Sequence, residues 1–144
     1  DFWFLGLAAL ALAALLHVAL GWLPETLLGP AELSLGLAFM LGFATSVVNG
    51  MLYKILPFLA WFHLQSQAGR RAGRIPNMRE MIDEAAMRRH FNLHLAAVCL
   101  LLPAPFLPAG SASPGLLALA WAGHCLWRNL RAVRTRFLAS GGRL

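Results

Sequence analysis

Apolar residues in this chain do not alternate with polar ones. They come in long Leu- and Ala-rich runs broken by short polar segments. The first run is Phe2 to Leu23, closed by Pro24 and the segment "PETLLGPAE", whose prolines, glycine and acids predict a turn. A second starts near Glu32 and stays apolar to about Phe62. A third, Asn92 to Leu107, is interrupted by Pro103 and Pro105. A fourth runs from Pro114 to about Trp127 and continues in helical pattern through Arg136. A spanning helix needs about 20 mostly apolar residues. The pattern therefore predicts four membrane helices, at about 2–23, 32–62, 92–107 and 114–136, in one domain. A membrane β-barrel is excluded, because its strands alternate over about 10 residues. Helices instead satisfy every backbone group internally, as lipid requires.

Between the second and third runs lies a polar loop at 64–90. Within it, "NMREMIDEAAMRRHF" places Met78, Met81, Ile82 and Ala85 on one helical face. Asn77 stands as a cap with Glu80 at capping-box spacing. The stretch reads as a short amphipathic helix, lying either on the inner membrane surface or against other protein.

Composition agrees with this division. Of 144 residues 59% are hydrophobic and 12% charged, against about 45–50% and 25% in soluble domains. The net charge of +6 is concentrated in two blocks, and residues 2–23 and 95–127 carry no charge at all. A nucleic-acid binder would be basic without needing such charge-free runs, so nucleic acid is excluded as a partner. The loop holds Arg70, Arg71, Arg74, Arg79, Arg88 and Arg89; the tail holds Arg128, Arg131, Arg134, Arg136 and Arg143. The two intervening turns hold no Lys or Arg, so both basic segments and both termini are expected in the cytoplasm. The expected location is a bacterial inner membrane, multi-pass. The first residue is Asp1, and the 22-residue apolar run after it is longer than a usual signal h-region and lacks a basic n-region. It reads as a processed chain or the visible part of a longer one. Cys99 and Cys125 form no CxxC pair and read as small apolar packing residues.

Ser34, Ala38, Gly42, Ser46 and Gly50 recur every four residues along the second run. Small residues at this spacing let helix backbones approach closely, so this helix is expected to be a packing centre. The first helix has a shorter ladder: Ala9, Ala13, His17 and Gly21. Lys54 is the next rung of the long ladder, about 33 Å from Glu32 at 1.5 Å per residue. Two readings stand: a lysine snorkelling at the cytoplasmic boundary beside Tyr53 and Trp61, or a buried charge facing the bundle and paired with an acid or a haem propionate of a partner.

The histidines offer the only cofactor chemistry. His17 and His124 fall at similar depth counted from the outer ends of their helices, and two such histidines could hold haem b. His63, His90 and His94 cluster toward the inner side, with His90 and His94 at i, i+4, a spacing that can chelate a metal. No catalytic constellation is visible: no paired carboxylates in a span, no Gly-rich phosphate loop, no Ser–His–Asp set.

"GMLYKILPFLAWFHLQ" at Gly50–Gln65, followed by "IPNMREMI" at 75–82, resembles a segment of proteobacterial multi-span membrane proteins similar to haem-copper oxidase subunit I. The resemblance covers about a third of the chain and implies that it corresponds to the C-terminal part of a longer protein. Such proteins carry haem ligands on several helices, including a closely spaced pair of histidines on one. Here the second helix has no histidine before His63, so the resemblance implies an architecture and a redox neighbourhood without an active site. The sequence thus leads to a scaffold subunit in a larger, respiratory or redox, membrane assembly. Its partners are the lipid bilayer and either other membrane subunits or the rest of the same chain. The alternatives are a b-type cytochrome through His17 and His124, and a transport or channel element.

Overall fold

A computed structural model describes residues 1–67 and 77–142, the side chain of Arg79 excepted. The described residues are helical, with no strand among them. α1 spans Phe2–Leu20. α2 (Glu25–Leu37), a π-helical segment (Ala38–Thr45) and α3 (Ser46–Ser66) follow without a break. A 3-10 turn at Met78–Met81 leads to α4 (Glu84–Leu101), a second 3-10 turn to α5 (Ser113–Ala139).

The long helix starts at Glu25 rather than near Glu32. Pro24 sits extended as its cap, and Glu25 in the first turn favours the positive end of the helix dipole. Pro30 is absorbed inside α2, so the expected turn over 24–32 shrinks to the residues around Gly21–Pro24. Two helices among the described residues, α1 and the continuous Glu25–Ser66, are long and apolar enough to cross a membrane by length and composition.

The separate amphipathic helix expected over 77–91 is not formed. Asn77 N–H donates to Glu80 Oε2 at 3.3 Å, but only a single 3-10 turn follows. Ile82 is extended, and Asp83 caps a new helix by accepting from Ala85 N–H at 3.1 Å. Residues 84–91 are thus the first half of α4, continuous with the third apolar run. Arg70, Arg71 and Arg74 lie outside the described residues.

Ser34, Ala38, Gly42, Ser46 and Gly50 are all buried. An ideal α-helix advances about 400° in four residues, so a strict every-fourth ladder drifts by about 160° from Ser34 to Gly50. The π segment removes much of that drift, because i→i+5 closure takes more residues per turn. Thr45 Oγ1 donates to the Met40 carbonyl, five residues back, at 2.9 Å. The face so aligned packs on α1. A Cβ added at Gly42 would lie 2.5 Å from the Ala9 Cβ, and one at Gly50 3.3 Å from the Phe2 Cβ. The buried side of α1 is Phe2, Gly6, Ala9 and Ala13, and the ladder ends there: His17 and Gly21 are exposed.

α1 packs most extensively on the long helix, and α4 and α5 form the next pair. Gly115 admits the Leu101 side chain, which would lie 2.6 Å from a Cβ at that position. At the other end Leu64, Met81 and Phe137 form an apolar cluster joining α3, the 3-10 turn and α5. α5 closes on Gly141 with φ +81°: Gly142 N–H bonds the Phe137 carbonyl and Gly141 N–H the Leu138 carbonyl, the left-handed end that glycine allows.

Candidate functional site

A set of polar side chains from α3, α4 and α5 collects inside the bundle. Ser46, Asn49 and Tyr53 follow at i, i+3 and i+7 on α3; His90 and His94 stand one turn apart on α4; Asn129 shares the buried stripe of α5 with Cys125 and Val133. All six polar residues are buried.

Hydrogen bonds join three helices here. Asn129 Nδ2 donates to Tyr53 Oη at 2.7 Å and to the Ala86 carbonyl at 3.3 Å. The carbonyl can only accept, which orients the amide. With its oxygen accepting from Asn129, the Tyr53 hydroxyl donates to His90 Nδ1 at 2.9 Å. Full satisfaction of the chain therefore puts the proton of a neutral His90 on Nε2. One turn away His94 Nε2 and Ser46 Oγ are 2.9 Å apart. Phe2, at the start of α1, closes the cluster. Its ring centroid lies 5.8 Å from Tyr53, 5.2 Å from His90 and 5.9 Å from His94. α1 thus covers with an aromatic face what α3, α4 and α5 join by hydrogen bonds. The cluster meets the surface at Asn129, which shares a pocket of about 150 Å³ with Asp83, Arg89 and Arg128.

The predicted metal triad does not assemble. His90 and His94 are buried, with ring centroids 6.3 Å apart. His63 is exposed, bonded by Nδ1 to the Leu59 carbonyl. Among the described residues no group of three metal-binding side chains forms. The proposed haem pair is separated as well, and both histidines are exposed. α1 and the long helix run antiparallel, with Ala9 beside Gly42, so His17 lies level with Ser34. The Ser34 hydroxyl donates to the Leu102 carbonyl at 2.7 Å, next to Leu101 and Gly115. His124 lies nine residues on from Gly115, about 13 Å away along the axis. α1 ends at Leu20, three residues past His17, whereas His124 lies eleven residues into α5 from Ser113, and counting from the run ends at Leu23 and Pro114 concealed that offset.

Lys54 is not a buried charge. It is exposed, with Nζ 5.4 Å from the Trp3 ring centroid. The small-residue face passes to Tyr53 and Pro57 beyond Gly50, while Lys54 turns aside. Tyr53 and Asn129 were not foreseen as site residues. The sequence signal was their spacing: Tyr53 falls seven residues after Ser46, and Asn129 four after Cys125 and four before Val133.

No family model, curated protein or solved structure matches this chain.

Proposed function

We propose that the chain is a helical membrane unit, either a subunit or the C-terminal membrane part of a longer chain, acting as scaffold in a larger assembly. One observation carries this reading: large apolar side chains cover the outside while a polar cluster sits inside. The interior holds Ser34, Ser46, Asn49, His90, His94 and Asn129, while Phe4, Leu15, Trp22 and Leu117 are 77, 69, 88 and 71% exposed. Soluble monomers rarely expose contiguous apolar surface on this scale, whereas lipid or neighbouring helices would cover it.

In this reading α1, the long helix, α4 and α5 are the four spans. The charged first turns of α4 and the arginine-rich end of α5 lie in the cytoplasm with both termini. Trp3 and Lys54, level with the start of α1, mark the inner boundary of a bacterial inner membrane. The redox affiliation rests on the resemblance of Gly50–Gln65 and residues 75–82 to oxidase-like membrane proteins. Expression of the tagged chain in a bacterial host, carbonate washing of the membranes and native electrophoresis after mild solubilisation test the proposal. It expects the chain in the washed membranes and in a complex larger than itself. Release by carbonate would refute the membrane reading, and a partner-free monomer the scaffold reading.

The buried polar cluster favours a transport element as the second reading. Tyr53, His90 and Asn129 connect an arginine-lined surface pocket with the bundle interior. Ion or proton flux in liposomes containing the chain, abolished by Tyr53→Phe, would support it; liposomes no leakier than empty ones would remove it. A b-type cytochrome through His17 and His124 is disfavoured, because both histidines are exposed and lie about 13 Å apart in level.

A further inference from the structure

Beside the internal cluster, Tyr53, Lys54 and Pro57 turn toward a groove of about 850 Å³ between α3, the 3-10 turn and α4. Its walls are apolar: Pro57 and Phe58 from α3, Met78 and Ile82 from the segment before α4, Met87 from α4. Two charged side chains line it, Lys54 and Glu84. Glu84 faces Arg88 at 3.6 Å, one helical turn on, so its charge is balanced locally. Lys54 has no carboxylate partner among the described residues, and its ammonium rests over the Trp3 indole. The groove thus combines an apolar trough with the Lys54 ammonium at its side and the exposed Glu84–Arg88 pair at its rim. Resting on the membrane reading above, Lys54 lies at the cytoplasmic boundary.

We propose that this groove binds an anionic phospholipid of the inner leaflet, with an acyl chain along Pro57, Phe58, Ile82 and Met87 and the headgroup phosphate on Lys54. The chemistry selects this occupant. A helix from a partner protein would need its own acid to meet Lys54, and a zwitterionic lipid brings a competing cation of its own beside its phosphate. An anionic lipid supplies both an apolar chain and a negative headgroup, and basic pockets between membrane helices on the cytoplasmic side bind such headgroups. The volume falls within the range of about 300–1,000 Å³ usual for small-ligand sites.

Trp3 makes the site observable. The experiment uses the chain with Trp22, Trp61, Trp121 and Trp127 replaced by Phe, reconstituted in nanodiscs. Quenching of Trp3 fluorescence is compared for acyl-brominated phosphatidylglycerol and phosphatidylcholine at equal low mole fraction. A parallel protein keeps only Trp121, which is exposed on α5 away from the groove. The expected result is about fivefold stronger apparent association of the anionic lipid at Trp3, the effect of one lysine near a lipid surface. Lys54→Gln should abolish that preference, Lys54→Arg should retain it, and Trp121 should show none. Equal quenching of Trp3 by both lipids, or a preference that survives Lys54→Gln, overturns the proposal. Quenching of Trp121 but not Trp3 overturns it as well. If neither lipid quenches Trp121, the membrane reading itself fails.

Discussion

Substituting Gly42 by alanine places one methyl where α1 and the long helix are closest. The added Cβ would sit 2.5 Å from the Ala9 Cβ, about 1 Å inside an ordinary carbon–carbon contact of about 3.5–4.0 Å. Neither atom terminates a flexible side chain, so the helices themselves must separate. Overpacking of this kind costs about 1–3 kcal/mol. Against it stands the gain of about 0.5–1 kcal/mol that alanine brings to a helical glycine position. A net loss of up to about 2 kcal/mol is expected. Gly36 and Gly50 calibrate the result. Nothing lies within 4 Å of a Cβ at Gly36, so Gly36→Ala should stabilise by the full helical gain. At Gly50 the Trp3 Nε1 and Phe2 Cβ lie 3.2 and 3.3 Å away, so shifts of a few tenths of an ångström suffice and alanine should be close to neutral. The double substitution Ala9→Gly/Gly42→Ala moves the methyl across the contact and should regain most of what Gly42→Ala loses. Thermal unfolding in a mild nonionic detergent resolves the order, since 1 kcal/mol shifts Tm by about 2–4 °C in a chain of this size. If Gly42→Ala is as stable as Gly36→Ala, or if Ala9→Gly gives no rescue, the close approach described here is wrong. Val48→Leu, on an exposed position, is the neutral control. Val47 is unsuitable for that purpose, because its side chain lies 3.3 Å from a Cβ at Gly6.

Tyr53→Phe keeps the ring against Phe2 but orphans His90 Nδ1 and an Asn129 N–H, at about 1–3 kcal/mol for each unsatisfied group; detergent unfolding should show the loss, and Tyr53→Phe/Asn129→Leu should lose less than the sum of the single changes. Additive losses would mean that the two side chains are not bonded. Gly141→Ala forces a side chain onto φ +81° and should cost about 1–2 kcal/mol locally, read as faster amide exchange over the last turn of α5 and around Phe137; unchanged exchange would count against the glycine-closed end.

Helix content was legible because Leu- and Ala-rich runs of this length have no other way to bury or satisfy their backbone. The packed face of the second run was legible for a similar reason, since five small residues every four positions mark a line of close approach. The same ladder, taken strictly, implied a helix that is not uniformly α, because an ideal helix would turn half of those residues away. Two boundaries were not legible. Pro30 looked like a stop, yet α2 runs through it, forgoing the bond an N–H there would make to the Thr26 carbonyl. The repeat of Met78, Met81, Ile82 and Ala85 looked like one amphipathic face, yet the chain breaks at extended Ile82 and Asp83 caps a second helix. The site was legible only in part. His90 and His94 stood out as a pair, while Tyr53 looked like an ordinary boundary residue and Asn129 did not stand out at all. Their roles depend on α3, α4 and α5 meeting at one level, which no local pattern records. His17 and His124 failed because the apolar run outlasts its helix: α1 stops at Leu20 rather than Leu23, so a count from the run end overstates the depth of His17.

The central claim, a membrane bundle with its polar residues inside and its arginines in the cytoplasm, is tested most directly by single-cysteine labelling in spheroplasts. Cys99 and Cys125 are replaced, and one cysteine is placed at Ala109, Ser66 or Ala139, all exposed positions at the ends of helices. An impermeant maleimide should label the residue-109 variant from outside, and the residue-66 and residue-139 variants only after the inner face is opened. Labelling of residue 109 from the same side as residues 66 and 139, or the reverse sidedness, would contradict the account.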